Sequence, residues 1–234
     1  MQGLEGKVIL VTGASGNLGG VVAERAVVAG ARVAVTDRAA AKLKVRFAES
    51  DSIKLFPGVE LANSASCADY VEKTVARFGR VDGLISTVGG FAFTNVSEDS
   101  YETWERMLTM NVKTAFHVSQ AALPAMKANG SGSIVLTGAT AALKAPGGVS
   151  AYAASKSGVM RLAESLADEV KGEGIRVNAV MPSLIDTPEN RAAMPDADRS
   201  GWVSPEEISD VMLFLISDAA RAVTGALIPV TGKG

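Results

Sequence analysis

Two side chains able to exchange a proton stand four residues apart in Ser150-Ala151-Tyr152-Ala153-Ala154-Ser155-Lys156. The apolar stripe that follows marks the segment as helical, so both project from one face. A nearby ammonium stabilises phenolate and pulls tyrosine's pKa down from about 10 toward neutrality, which makes a usable general acid or base. By spacing alone, such a pair on a helix is usually a surface contact. A second candidate is the turn Thr12-Gly13-Ala14-Ser15-Gly16-Asn17-Leu18-Gly19, where three glycines fall between an apolar run and a helical pattern. Free N–H groups at a helix start attract anions, and missing β-carbons let a diphosphate approach the backbone. Such a turn also serves as a plain tight connection. Asp37 follows Gly19 by 18 residues, where a carboxylate can hold the ribose hydroxyls of NAD and repel the 2′-phosphate of NADP. Arg38 beside it could tolerate that phosphate.

The elements that must position these groups alternate regularly. Short β-branched runs bounded by glycine are expected as strands over 8–12, 32–36, 54–59, 83–87, 132–137, 176–181 and 226–229. Helical periodicity lies between them, over 18–29 with a stop at Gly30, then 70–78, 104–126, 151–170 and 205–215. This alternation is the pattern of βαβ units and a parallel sheet buried on both faces. No repeat, low-complexity tract or linker divides residues 1–234, so one domain is expected. The irregular stretch 182–204 follows a strand and carries three prolines. Ligands of open α/β sheets bind beyond the carboxyl ends of the strands, which makes this stretch a candidate substrate lid.

The composition narrows the function classes. Of 234 residues, 23 are Lys or Arg and 25 are Asp or Glu, interspersed to a net charge of −2. No basic block exists to neutralise nucleic acid or an anionic membrane. One cysteine, Cys67, forbids a disulfide within the chain, and with a single histidine, His117, it forbids a His/Cys zinc site. No metal site is expected, and His117 reads as a packed or surface residue. The first apolar run is too short for a signal core or a membrane span, and a cytoplasmic protein is expected.

Taken together, the turn and the Tyr/Lys pair make the whole chain resemble the short-chain dehydrogenase/reductase family. Asn111, in Met110-Asn111-Val112, resembles its proton-relay asparagine, and Pro182 and Thr187 resemble the segment that grips the nicotinamide carboxamide. The resemblance implies a Rossmann-type doubly wound α/β domain with a mostly or wholly seven-stranded parallel sheet. It implies catalysis by Tyr152, Lys156 and Asn111. It also implies a cofactor site built from Gly13, Ser15, Gly16, Asn17, Leu18, Gly19, Asp37, Arg38, Glu60, Leu61, Val88, Gly89, Tyr152, Lys156, Pro182, Ile185 and Thr187. NAD(H) is the expected cofactor, with NADP(H) not excluded, and a homodimer or homotetramer acting on a small molecule is the expected assembly.

Departures from the family pattern point to one branch. The usual catalytic serine, 13 residues before the tyrosine, is Ala139 here. The middle glycine of the turn is Asn17, which can still adopt a left-handed conformation. Val88-Gly89-Gly90, the segment Gly138-Ala139-Thr140-Ala141-Ala142-Leu143, Asp186-Thr187-Pro188-Glu189-Asn190-Arg191 and Trp202 resemble the dihydropteridine reductases. That branch implies an NADH-dependent reduction of quinonoid dihydropteridine, a substrate that needs no serine clamped on a carbonyl oxygen. Phe91 and Trp202 could stack on such a ring, with Ala139 beside it. Another carbonyl or alcohol substrate, or a non-catalytic NAD-binding sensor, are the competing readings.

Overall fold

The computed structural model describes residues 3–99 and 101–232. Seven apolar runs form the strands β1 Val8–Thr12, β2 Arg32–Asp37, β3 Ile53–Pro57, β4 Gly83–Ser86, β5 Gly132–Thr137, β6 Ile175–Pro182 and β7 Leu227–Val230. The helices are α1 Asn17–Val28, α2 Ala40–Arg46, α3 Ser64–Phe78, α4 Tyr101–Met107, α5 Thr114–Ala128, α6 Ser150–Val170, α7 Pro188–Ala193 and α8 Pro205–Ile216. The strands pair in the order β3-β2-β1-β4-β5-β6-β7, every pair parallel. Chain direction across the sheet therefore reverses between β1 and β4, and the crevice at that switch point is where an open α/β sheet takes its ligand.

The pleat explains why the strands read as continuous apolar runs. Val8 and Leu10 face the layer of α3, α5 and α6, whereas Ile9 and Val11 face α1 and α8. All four are fully buried, and each such burial contributes about 1.5–3 kcal/mol. The helix ends follow local chemistry. Gly30 takes φ +86° just past α1 and donates its N–H to Val27, and Gly79 closes α3 at φ +83°. Ser204 and Glu207 form a reciprocal capping box that starts α8, with Pro205 in its first turn.

The structure departs from the expected boundaries in instructive places. The third strand spans Ile53–Pro57 rather than 54–59, because Gly58 turns the chain at φ +80°. The last strand is shifted by one residue, and β6 extends to Pro182, which pairs with Val230. The single helix expected over 104–126 is α4, a wider π turn over Leu108–Lys113, and α5. Asn111 lies inside that π turn. The stretch 182–204 is more ordered than its composition suggests, since it holds α7 and a bridge between Ile185 and Val203.

Candidate active site

At the end of β1 the chain folds back against β4. Gly13 adopts φ +68°, and a β-carbon there would lie 2.8 Å from the Thr87 hydroxyl. A β-carbon on Gly19 would fall 2.4 Å from the Gly13 carbonyl oxygen and 2.6 Å from the same hydroxyl. Thr87 Oγ1 donates to the Thr12 carbonyl at 2.7 Å and locks the turn. Gly16, extended at φ −80° and ψ 171°, caps α1 without a side-chain bond to the first-turn N–H groups. Asn17 makes no use of the left-handed conformation open to asparagine. The turn has already closed at Gly13, so Asn17 enters α1 as its first residue, and no non-glycine residue among those described has a positive φ.

Asp37 ends β2 and accepts from the backbone N–H of Ala39 at 2.8 Å and of Ser15 at 3.2 Å. A cavity of about 690 Å³ opens beside it, lined by Gly13, Gly16, Asp37, Arg38, Glu60, Leu61, Val88 and Gly89 among the expected cofactor residues. Glu102, Glu105 and Arg106 from α4 also line it. Those three were missed, and only their helical spacing on one face beyond β4 could have flagged them. Bare glycine backbone, free helix-start N–H groups and a carboxylate beside an elongated cleft fit a dinucleotide. Ser15, Asn17, Leu18 and Gly19 build the turn without lining the cavity, and Tyr152, Lys156, Pro182, Ile185 and Thr187 also lie outside its lining.

The chemical end forms on α6. Lys156 is buried, 5% exposed, and its Nζ donates to the Thr137 carbonyl at 2.8 Å. The Tyr152 ring meets Phe91 edge-on, with centroids 5.0 Å apart. Burial pushes the Tyr152 phenol up to about 12 and the Lys156 ammonium down to about 8. The expected fall of the Tyr152 pKa is thus not met here, because desolvation dominates and the lysine is directed to Thr137. Gly89 fits tightly against two of the expected residues. A β-carbon on it would lie 2.7 Å from Asn111 Oδ1 and 3.0 Å from Lys156 Nζ. The Asn111 amide donates to Ser155 Oγ at 2.8 Å and to the Gly90 carbonyl at 3.1 Å, and accepts from Gly90 N–H at 2.8 Å. Its side chain therefore ties the loop after β4 to α6 from within the π turn.

Ala139 is buried and offers only a methyl group. The adjacent Thr140 hydroxyl points to the Pro182 carbonyl at 3.3 Å. Ser150 and Ser183 carry buried hydroxyl oxygens with no protein partner, as do Thr12, Ser86, Ser119 and Ser209 elsewhere in the fold. In the stretch 182–204, Thr187 caps α7 by accepting from Asn190 N–H, and Asn190 donates to the Ile185 carbonyl. Trp202 lies under the Arg199 guanidinium, 5.8 Å from the ring centroid, with its carbonyl against Gly232. His117 packs edge-on against Phe116 on α5, and burial raises the Cys67 thiol to about 11. Among the described residues no three His, Cys, Asp or Glu side chains gather as a metal site, and no helix is long and apolar enough to cross a membrane.

The short chain dehydrogenase family model matches residues 7–198. The 3-oxoacyl-[acyl-carrier-protein] reductase FabG of Thermotoga maritima is 33% identical over 241 residues, covering 98% of each chain. Among solved structures, a short-chain type dehydrogenase/reductase from Mycobacterium ulcerans superposes with a TM-score of 0.92 at 29% identity, covering 97% of this chain and 89% of that one. The 3-ketoacyl-(acyl-carrier-protein) reductase from Brucella melitensis, complexed with NADH, gives 0.88 at 27% identity, covering 98% of each. The chain belongs to the short-chain dehydrogenase family. It is an oxidoreductase that works with a nicotinamide cofactor. None of these three relatives is named a dihydropteridine reductase, so the similarity carries the family and not the branch.

Proposed function

We propose that this enzyme is an NADH-dependent reductase of a flat conjugated ring, with a quinonoid dihydropteridine as its substrate. The observation that carries the proposal is Ala139, buried where the family pattern has a hydroxyl, next to the Tyr152 helix. A donor that positions a reacting oxygen is commonly worth about 10²- to 10³-fold in rate, so its replacement by a methyl group favours a substrate without a carbonyl to clamp. The mouth of the site supports the same reading. Phe91, Phe93 and Leu143 are 62%, 69% and 62% exposed, and Phe91 lies against Tyr152. Exposed apolar groups beside a reactive residue favour stacking on a ring.

The bound nicotinamide supplies the hydride. Tyr152, kept neutral by burial at physiological pH, holds the proton at Oη for delivery to the substrate. Lys156 is still mostly cationic at pH 7 and binds the cofactor ribose, with Gly89 and Asn111 packed against its head. Asp37 orients the adenosine ribose hydroxyls and disfavours a 2′-phosphate. Pro182, Ile185 and Thr187 hold the carboxamide, and Trp202 closes the far side of the lid. An apolar groove of Leu108, Val112, Phe116 and Leu162 on the long helices supports a homo-oligomer.

A second reading, reduction of a 3-oxoacyl or other ketone, is favoured by the 33% identity to a 3-oxoacyl reductase. Assaying NADH oxidation with quinonoid dihydrobiopterin beside a panel of ketones separates the two. Ala139→Ser should raise kcat/KM for ketones while leaving pterin reduction flat or lower. Strong ketone reduction by the unmodified enzyme, with no pterin turnover, would replace the first reading by the second.

A further inference from the structure

The lid is attached to the rest of the protein by little besides its own chain ends. Asp186 N–H donates to Val203, Arg191 makes a two-pronged pair with Asp186, and Thr187, Asn190 and Ile185 bond one another. Every one of these bonds is internal to 183–203. Among the described residues, one hydrogen bond leaves 186–202 for the body of the protein. It runs from Asn17 Nδ2 to Glu189 Oε2 at 2.6 Å, across 172 residues of sequence.

Both ends of that bond are placed meaningfully. Asn17 opens α1 at the cofactor turn, next to Gly16, which lines the cleft. Glu189 lies in the first turn of α7, the lid's only helix among the described residues. Its carboxyl is held below the usual range by its own backbone N–H, then by the Asn17 amide, with Lys42 on α2 adding a weaker attraction. We infer that Asn17 and Glu189 form a strap that holds the lid against the cofactor turn and sets how fast the dinucleotide leaves. The inference rests on the turn being the cofactor site and not on the identity of the substrate. Asn17 and Glu189 are positioning residues, since their bond fixes the lid. A dinucleotide seated between the turn and the lid must break that bond to escape, whereas one resting on the turn alone need not.

The test is a double-mutant cycle on NADH release, followed by stopped-flow fluorescence in Asn17→Ala, Glu189→Ala and the double variant. Losing one hydrogen bond of this kind at a partly exposed position corresponds to about a threefold to tenfold faster release. Each single variant should show that acceleration, and the double variant should add nothing further. Hydrogen exchange in the cofactor-free protein should rise over 186–193 in both singles, a readout independent of turnover. Release at the unmodified rate in both singles would overturn the strap, as would additive effects in the double variant. Slower release in Glu189→Ala alone, with the difference lost at high salt, would overturn the strap and leave simple charge repulsion between that carboxylate and the diphosphate. If the unmodified protein fails to bind NADH, the cofactor assignment and the strap fall together. If it binds NADH and the variants release it normally, only the strap falls.

Discussion

Lys156→Met should abolish turnover and at the same time make the fold more stable at pH 7. The lysine sits 5% exposed and, among the described residues, has one hydrogen bond, to the Thr137 carbonyl, and no carboxylate partner. Burial lowers its pKa from the ordinary 10.5 to about 8. At about 1.4 kcal/mol per pH unit, holding that charge in the folded state costs about 3 kcal/mol. Methionine keeps most of the apolar stem and drops the charge, but it leaves the Thr137 carbonyl without its donor, a loss of about 1 kcal/mol. A net gain of about 2 kcal/mol corresponds to a rise in Tm of about 4–8 °C for a domain of this size. The sign with pH follows from the depressed value. Below about pH 8 the lysine is charged in both states and the full cost is present. Between about 8 and 10.5 the unfolded chain binds the extra proton, so the unmodified fold gains stability as pH rises and the gap to the variant closes. Thermal unfolding of both proteins from pH 7 to 10.5 measures this. A variant no more stable at pH 7, or a gap that stays constant with pH, would refute desolvation as the dominant influence on Lys156.

Tyr152→Phe keeps the ring and its edge contact with Phe91 but removes the proton, so turnover should fall about 10²-fold or more with NADH affinity nearly unchanged. Intact turnover would move the proton donor elsewhere. The unmodified enzyme should lose activity above about pH 8 as Lys156 deprotonates, and a kcat profile flat to pH 10 would contradict that. Asp37 should give NADH at least a tenfold advantage over NADPH, about 1.4 kcal/mol, read by titrating both cofactors. Equal affinity would assign the pocket to Arg38, which lines the same cavity.

What sequence could disclose here was set by how local each feature's cause is. Continuous burial on both faces of a parallel sheet leaves an unmistakable mark, and Val8 to Val11 carry it within four residues. Tyr152 and Lys156 were legible because one helical turn fixes their spacing. By contrast α2 has a single buried residue, Leu43, too little to print a period on seven residues. Asn111, inside the π turn, bonds to Gly90 and Ser155, 21 and 44 residues away, contacts that no local pattern announces. The pKa values of the pair show the same division more sharply. Proximity, which sequence reveals, argues for a lowered tyrosine; burial, which only the packed structure reveals, holds it near 12. Motifs can therefore nominate a site, but the protonation state of its residues is decided by how deeply the fold buries them.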